Sequence, residues 1–248
     1  YQAIYNVTED FLQQHFDYIV DLVKREGKPV LITVYPAGLF YWVINVEYII
    51  IDEMKRPREI ATWQIDIGNA RRFNIKFKDP NGEEKYPMII HTAILGSIER
   101  YIYMVFDTIA HYEASGKPPT LPTWLSPIQV RIIPVSREHL EYAVKVANKL
   151  IERNFRVDID DRDESLGRKI RDAGIEWIPY VVVIGDREVK TETINVRIRK
   201  ENIQKVMKVD DLINVLEEEV KGYPKVDSAL PLFVSKRPSL HYLRPLEK

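Results

Sequence analysis

The residues best suited to chemistry lie between Gln64 and Arg100. Gly96 and Ser97 open a segment of helical spacing, and Arg100 falls within its first turns. A helix start can bind phosphate, because it presents free backbone N–H groups and the positive end of its dipole. Glycine permits close backbone approach, and the planar guanidinium of Arg100 could hold a phosphate or stack on a ring. The alternative is an ordinary helix start, with Arg100 paired to Glu99 or solvent.

Two side chains earlier in the chain are less specific signals. His91 follows an apolar run, where a lone histidine is more often a surface or hydrogen-bonding residue than a metal ligand. Gln64 lies in an alternating segment, with Thr62 and Asp66 on its polar side. A glutamine on the exposed face of a sheet needs no function. Residue type and spacing alone do not decide whether either side chain has a functional role.

The elements that must position these residues form an α+β pattern over residues 1–118. Thr8 can cap a helix that ends at Gly27, and a second helix follows Gly96. His91 is expected just past the last strand. A hairpin turn is expected at residues 79–82, where the sequence is Asp-Pro-Asn-Gly. Together these signals predict an antiparallel sheet with helices, its strands at residues 30–35, 39–51, 61–67, 73–77 and 85–90.

After a proline-rich linker at residues 115–122 the pattern changes to alternating strands and helices, which predicts a small α/β domain over residues 123–223. The expected strands are residues 130–135, 155–159, 180–184 and 194–198. The expected helices start at Ser136, at Leu166 (ending at Gly174) and at Asp210 or Asp211. Residues 224–248 are expected to form an irregular tail that packs back through Leu230, Leu232 and Phe233.

Composition limits the classes of function. The formal net charge is −1, so a nucleic-acid surface would have to be a local basic patch. The absence of cysteine excludes disulfides and Cys-based metal sites within this chain. No apolar run is long enough to span a membrane. The 45% hydrophobic content is sufficient for a sizeable core.

Several segments, in order and at matching spacing, resemble the class II threonyl-tRNA synthetase family in an archaeal-type version. The first are Ala-Thr-Trp-Gln-Ile-Asp-Ile at 61–67 and His-Thr-Ala-Ile-Leu-Gly-Ser-Ile-Glu-Arg at 91–100, whose end is similar to class II motif 3. The others are Thr-Trp-Leu-Ser-Pro-Ile-Gln-Val at 123–130, Gly-Arg-Lys-Ile-Arg-Asp at 167–172, Ile-Pro-Tyr at 178–180 and Gly-Asp-Arg-Glu-Val at 185–189. The resemblance implies part of a class II catalytic sheet followed by an anticodon-binding domain.

The resemblance also implies roles in the first half. Gly96, Ser97 and Arg100 would bind ATP with its Mg²⁺, and Arg100 and Gln64 would be catalytic-site residues. Tyr41 falls where the family has an aromatic residue near the tRNA end, although core packing is an equal alternative for it. His91 matches one of three zinc ligands. Because the other two match nothing here, this chain alone is not expected to hold zinc.

In the second half the resemblance places anticodon-reading residues at Asp163, Glu188 and Arg197, with Arg171 in support. A guanine could donate to Glu188 and accept from Arg197. Stacking and base-edge contacts to a single-stranded loop also need a basic background, which the local lysines and arginines supply. The alternative is a mixed-charge solvated face.

Three interpretations remain open, because no Phe-Arg-x-Glu pattern of class II motif 2 occurs in the sequence. The favoured one is part of a threonine–tRNA ligase that uses threonine, ATP and threonine tRNA, is homodimeric when complete and works in the cytoplasm without a membrane. The second is a reduced paralogue that edits mischarged tRNA. The third is an accessory subunit that only binds tRNA. The first is favoured because Gln64, His91 and Arg100 are all present.

Overall fold

The computed structural model describes residues 1–238, and the chain divides into two compact units, Tyr1–His111 and the residues from Tyr112 onward. The expected domain boundary at residues 118–123 stays a prediction. In chain order, the first set of elements is β1 (Gln2–Thr8), α1 (Glu9–Gln14), α2 (Phe16–Glu26), β2 (Leu31–Tyr35), β3 (Trp42–Ile51), β4 (Pro57–Asp66), α3 (Asn69–Arg72), β5 (Phe77–Lys78), β6 (Glu84–Lys85), β7 (Ile89–Ala93) and α4 (Ile98–Ala114).

A five-stranded sheet with the order β2-β1-β3-β4-β7 forms the first unit. β1, which sequence analysis missed, alternates so that Ala3, Tyr5 and Val7 enter the core with Ile19 of α2 and Ile44 of β3. Because α1 and α2 carry the chain across the sheet, β2 runs parallel to β1, whereas the remaining neighbours are antiparallel. The expected α+β fold class is confirmed.

The expectation of a strand at residues 73–77 is wrong. Asp66 Oδ1 accepts hydrogen bonds from the backbone N–H groups of Gly68, at 2.8 Å, and Asn69, at 2.9 Å. These bonds start the short helix α3, and Asn74 follows in the left-handed region at φ 52°. Only Phe77–Lys78 remains extended, and it pairs with β6 across the expected turn.

The expectation of one strand over residues 85–90 is also wrong. Pro87 has no backbone N–H to give to a sheet, and the chain is irregular between β6 and β7. The second piece begins at Ile89, so His91 lies inside β7 rather than past its end. In the register of β4 and β7, His91 is directly opposite Gln64.

The second unit contains another five-stranded sheet, ordered β12-β11-β10-β8-β9. Its parallel strands β8, β9 and β10 and its helices confirm the expected α/β domain, although α7 and β12 were not predicted. The elements are β8 (Val130–Pro134), a 3-10 turn (Arg137–His139), α5 (Leu140–Ile151), β9 (Val157–Ile159), α6 (Leu166–Ile175), β10 (Tyr180–Ile184), α7 (Asp186–Thr191), β11 (Ile194–Ile198), β12 (Ile203–Met207) and α8 (Val209–Glu219).

The two faces of this sheet are covered unequally. Helices α5 and α8 cover one face, and the apolar β10 belongs to that core. On the other face, Ala173 of α6 packs against Ile133 and Val181, over β8 and β10. The face of β11 and β12 beside α6 is more open, with Arg197 and Val206 exposed.

The tail returns to the sheet as expected through two of its three apolar residues. Leu232 and Phe233 pack against the core, and Ile159 N–H donates to Leu232 O at 2.7 Å. Leu230 is 40% exposed, so the expectation that it packs back is wrong. The part of the expected tail at residues 239–248 lies outside the described residues.

Candidate functional site

A polar network lies on the face of the first sheet opposite its core, where β3 meets β4. Tyr41 OH donates to Gln64 Oε1 at 2.9 Å, and Gln64 Nε2 donates to Asn45 Oδ1 at 3.1 Å. Thr62 Oγ1 donates to the same Asn45 oxygen at 3.1 Å. Gln64 is therefore held at both ends of its amide. Asn45 was not among the predicted site residues, although a polar residue within an apolar strand is a signal in the sequence.

His91 joins this network from the neighbouring strand. Its Nε2 lies 2.7 Å from Asp66 Oδ2, and its ring centroid is 6.0 Å from that of Tyr41. Burial favours the neutral form of Asp66, but bonds from Asn69, His91 and Gly68 outweigh it and hold the pKa of Asp66 below its usual range. A carboxylate on one ring nitrogen orients the imidazole and leaves Nδ1 for a further ligand.

The fit to a metal is partial. Residues 1–238 contain no group of three or more His, Cys, Asp or Glu side chains placed to hold a metal ion. His91 could act as one metal ligand, because the carboxylate of Asp66 on its other ring nitrogen orients the imidazole. The described residues therefore offer one donor, His91, for the expected zinc ion, and zinc binding stays a prediction.

Substituting Asp66→Asn is expected to destabilise the first unit by about 1 kcal/mol, the size of one lost hydrogen bond, because an amide NH2 group cannot accept from Asn69 Nδ2 as the carboxylate Oδ2 does. Because folding lowers the pKa of Asp66, the stabilisation is complete above the ordinary carboxyl pKa and is lost as pH falls through the folded value. Urea unfolding near neutral pH and in acid measures this. The difference between wild type and variant should shrink in acid, and a constant difference would contradict the assignment.

Arg100 is fixed at the other end of β4. Its NH1 donates to the backbone oxygen of Glu59 at 3.1 Å and lies 3.9 Å from the Glu59 carboxylate. Gly96 has a positive φ of 62°, and a Cβ there would lie 3.1 Å from the backbone oxygen of Ile60. The backbone N–H of Arg100 donates to Ser97 Oγ at 3.3 Å. The start of α4 thus lies close against β4, as the glycine suggested.

A shift in the register of β3 and β4 decides which face of the sheet carries Glu59, the residue that Arg100 contacts. Opposite β3, the pairing steps from Ala61 to Glu59 and leaves Ile60 as an extra residue. Glu59 therefore faces the same side of the sheet as Thr62 and Gln64. Burial and the charge of Glu47 raise the pKa of Glu59, while Arg100 opposes that rise. The sequence did not reveal this bulge.

The expected first-half residues therefore share one face but not one contact cluster. Tyr41, Gln64 and His91 lie together. Arg100 instead contacts Glu59, which is five residues before Gln64 in β4 and so roughly 15 Å from it at the usual strand rise. A cavity of about 460 Å³ adjoins Arg100, with Glu59, Arg58 and Tyr103 in its lining. An extended ligand, rather than a compact one, could reach both ends.

In the second unit, several expected residues gather where the parallel strands end. Asp163 is exposed in the loop after β9, and α7 with Glu188 follows β10. Because β9 and β10 both run parallel to β8, their carboxyl ends lie at one edge of the sheet, the usual place for ligands in such folds. Asn195 pairs with Val183 at this same edge.

Glu188 also has a structural role that sequence analysis did not predict. It is buried, and its Oε2 accepts from Gly185 N–H at 3.0 Å, which caps α7. Asp186 of the same helix lies 2.9 Å from Nε2 of His139, whose Nδ1 accepts from Ser136 N–H at 3.1 Å. These bonds fix α7 against the start of α5. Base reading by Glu188 stays a prediction.

Arg197 lies on the face of β11 that α6 leaves open. It is exposed and is directly opposite Gln204 of β12, whose amide donates to Asn195 Oδ1 at 2.8 Å. A groove of about 290 Å³ runs between these strands and α6, with Ile170 on its apolar side. Arg171 is exposed on α6. Gln204 was missed because sequence analysis assigned no strand to its segment.

Arg199, one of the local arginines that follow β11, makes a structural contact. It is half-buried, and its Nε donates to the backbone oxygen of Pro119 at 2.6 Å. Its guanidinium therefore holds the linker against the second unit. Exposed cations on α7, which follows the carboxyl end of β10, include Arg187 and Lys190.

Comparison with known proteins finds a family match within the second unit. The family described as "Anticodon binding domain" matches residues 129–219. A crystal structure of the RNA binding domain of threonyl-tRNA synthetase from Cryptosporidium parvum Iowa II has a TM-score of 0.70 and 26% identity, covering 90% of this chain and 55% of that one. Among the described residues, no helix combines the length and apolar character needed to cross a membrane.

Curated relatives match along almost the whole chain. The threonine–tRNA ligase of Staphylothermus marinus is 61% identical over 242 residues, which are 98% of this chain and 39% of the relative. The threonine–tRNA ligase of Hyperthermus butylicus is 58% identical over 246 residues, again 98% and 39%. The chain therefore spans about two fifths of the length of the curated relatives it matches. In sequence the chain is similar to threonine–tRNA ligases, and its residues 129–219 match the anticodon-binding domain family.

Proposed function

We propose that this chain contributes to a threonine–tRNA ligase one part of the active site and the module that reads the anticodon. The observation that supports this most directly is the shared face of the first sheet, where Gln64 and His91 are hydrogen-bonded into one network and Arg100 follows along β4. In such an enzyme, threonine would react with ATP to form threonyl-adenylate and release pyrophosphate, and the threonyl group would then be transferred to threonine tRNA with release of AMP. Such an enzyme would work in the cytoplasm, as a homodimer in its complete form.

Arg100 is the proposed partner of ATP, which would bind together with Mg²⁺. Gly96 and Ser97 place the first N–H groups of α4 beside it, where an anionic phosphate is favoured. The guanidinium of Arg100 lies 3.9 Å from the carboxylate of Glu59. On ATP binding, Arg100 would transfer from Glu59 to the phosphates and stabilise the charge that develops there.

Gln64 and His91 are the proposed contacts of threonine. The amide of Gln64 is held by Tyr41 and Asn45, so it presents a fixed orientation. His91 would donate one of the ligands of a zinc ion, which would bind the amine and hydroxyl of threonine. A site that binds a hydroxyl rejects valine, which lacks one. Tyr41, at 42% exposure, remains accessible for the tRNA end.

The second unit is the proposed reader of the anticodon. Asp163 and Glu188 lie by the carboxyl edge of the sheet, and Arg197 lies on the open face beside α6. Acceptors and donors of this kind can read the edges of unstacked bases. Arg171 supports the same surface from α6. The opposite face of β10 and β11 packs into the hydrophobic core of this unit.

A polypeptide with these 248 residues is expected to form little or no threonyl-adenylate alone, because its sequence lacks the Phe-Arg-x-Glu arginine that would hold the α-phosphate. Threonine-dependent ATP–pyrophosphate exchange should stay at the level of a protein-free control. Exchange by this chain above that level would contradict the assignment of roles. Hydrolysis of mischarged tRNA by the chain would instead favour the editing paralogue.

A further inference from the structure

The tail holds the loop that carries Asp163. Residues 160–164, the reading loop, follow β9, and residues 232–237, the tail segment, lie beside β9. Phe233 bridges to Ile159 in parallel, so the tail segment extends the sheet past its outer strand. Ile159 N–H donates to Leu232 O, and Asp161 N–H donates to Ile159 O at 3.1 Å. The reading loop thus begins where the tail pairs with the strand.

Both oxygens of one loop carboxylate are occupied by a single tail residue. Ser235 N–H donates to Asp161 Oδ1 at 3.0 Å, and Ser235 Oγ donates to Asp161 Oδ2 at 2.6 Å. A hydrogen bond to a charged acceptor is stronger than a neutral one. Asp161 is two residues before Asp163, so this pair of bonds fixes the backbone just ahead of the proposed reading residue.

Bonds within the loop and to α6 fix the reading loop on the side away from the tail. Asp160 is buried, and both of its oxygens accept from Arg162, at 2.8 and 2.7 Å. Arg162 NH2 also reaches Asp172 of α6 at 3.1 Å. These bonds leave Asp161 facing the tail, while Asp163 is exposed at the tip.

The far end of the tail segment is anchored in the interior. Arg237 pairs with Asp158, which is fully buried, and its NH1 lies 3.6 Å from Glu176. Its Nε is buried and has no hydrogen-bond partner among the described residues. A tail that served only to cover the open edge of β9 would need main-chain pairing and apolar contacts, but no polar link to the loop.

We propose that Ser235 is a positioning residue for anticodon recognition, acting through Asp161 to order the reading loop. This inference rests on the proposed function of the second unit. An ordered loop presents Asp163 to a base without a further loss of chain entropy on binding. The tail therefore contributes to base selection, although it is distant in sequence from every reading residue.

The test compares Ser235→Ala with two matched variants in the full chain. Ser235→Thr keeps the hydroxyl, and Ser228→Ala removes a tail hydroxyl that bonds only within the tail, to Leu230. The probes are a threonine tRNA anticodon stem-loop and the same stem-loop with its anticodon bases replaced. The first readout is the discrimination ratio, the dissociation constant of the base-replaced stem-loop divided by that of the threonine stem-loop. The second is the rate of amide hydrogen exchange of residues 160–164 without RNA.

Ser235→Ala should lower the ratio roughly three- to tenfold, less than the full strength of a charge-assisted hydrogen bond because the lost bond orders the loop and does not contact the base, and it should speed exchange in the reading loop. Ser235→Thr should restore both readouts, and Ser228→Ala should change neither. An unchanged ratio, or a fall in affinity for both RNAs alike, would overturn the proposal. A wild-type ratio near one would refute anticodon reading itself; loop exchange unaltered by Ser235→Ala would refute the tail contact.

Discussion

Replacing Arg131 by methionine is expected to lower the free energy of unfolding of the second unit by about 3–5 kcal/mol, the cost of breaking a buried ion pair. Arg131 is fully buried in β8, and its Nε and NH2 donate to the two oxygens of Asp158 at 3.0 and 2.8 Å. Its NH1 and NH2 also donate to Glu176, both at 2.7 Å. The planar guanidinium thus meets two carboxylates, each through a pair of hydrogen bonds.

The size of the effect follows from what the substitution leaves behind. Asp158 is buried on β9, and without Arg131 its remaining charge partner is Arg237 from the tail. Burial opposes the charge of Arg131, but the bonds from Asp158 and Glu176 outweigh it and raise the pKa of Arg131 above its usual range. Burial raises the pKa of Asp158 and Arg131 opposes that rise, so the charged form of this buried carboxylate depends on the guanidinium.

Equilibrium urea unfolding, with the amides of β8 followed by hydrogen exchange, reports on the second unit separately. The matched control is Arg153→Met, because Arg153 is exposed and lies 3.6 Å from Glu217. That exposed pair should contribute no more than about 0.5 kcal/mol. Equal effects of the two substitutions would contradict the importance assigned to the buried cluster.

Substituting Arg197→Ala is expected to remove about 1–3 kcal/mol of base discrimination, or roughly 5- to 150-fold, while leaving the fold intact. Arg197 is exposed on β11, whereas its neighbours Val196 and Ile198 point into the core on the opposite face. Truncating it therefore removes a base-edge donor without creating a cavity. Binding to cognate and base-replaced stem-loops gives the discrimination directly.

The control for this prediction is Arg187→Ala on α7, which is equally exposed but lies outside the groove. Its loss should weaken binding to both RNAs alike and lower the salt slope by about one, as expected for a phosphate contact. If Arg197→Ala behaved in the same uniform way, Arg197 would be a backbone contact and the assignment of base reading would be wrong.

Much of the fold could be predicted because local patterns agreed with the tertiary structure. The alternation over residues 61–67 placed Trp63 and Ile65 in the core and Gln64 on the polar face, as observed. The continuous apolar run at β10 likewise indicated a strand covered on both faces. The Asp-Pro-Asn-Gly turn was equally clear, with Gly82 N–H donating to Asp79 O at 2.9 Å.

The errors arose where one polar side chain or one proline overrode the pattern. Asp66 starts α3 through its carboxylate, so the apolar residues after it do not form a strand. Pro87 divides the next strand and shifts His91 into register with Gln64. The bulge at Ile60 and the bonds of Ser235 to Asp161 join segments far apart in sequence, and no local spacing reports them.

The exposed face of α4 is a further case that local pattern does not settle. The helical spacing of Ile98, Ile102 and Ile109 predicts one apolar face, yet Ile98 and Ile102 are exposed, while Ile109 is buried. The pattern fixes the side of the helix that is apolar, but not what covers it. Within the described residues, the first turns of α4 meet β4 through Gly96 and Arg100 instead.

The most direct test of the account is the binding of this chain to the anticodon stem-loop of threonine tRNA, measured against stem-loops of other tRNAs at several salt concentrations. We predict a preference of at least about tenfold for the threonine loop that persists as salt weakens all of the complexes, because base contacts do not depend on counterion release. Equal affinity for every loop, falling in parallel with salt, would contradict the assignment of the second unit as an anticodon reader.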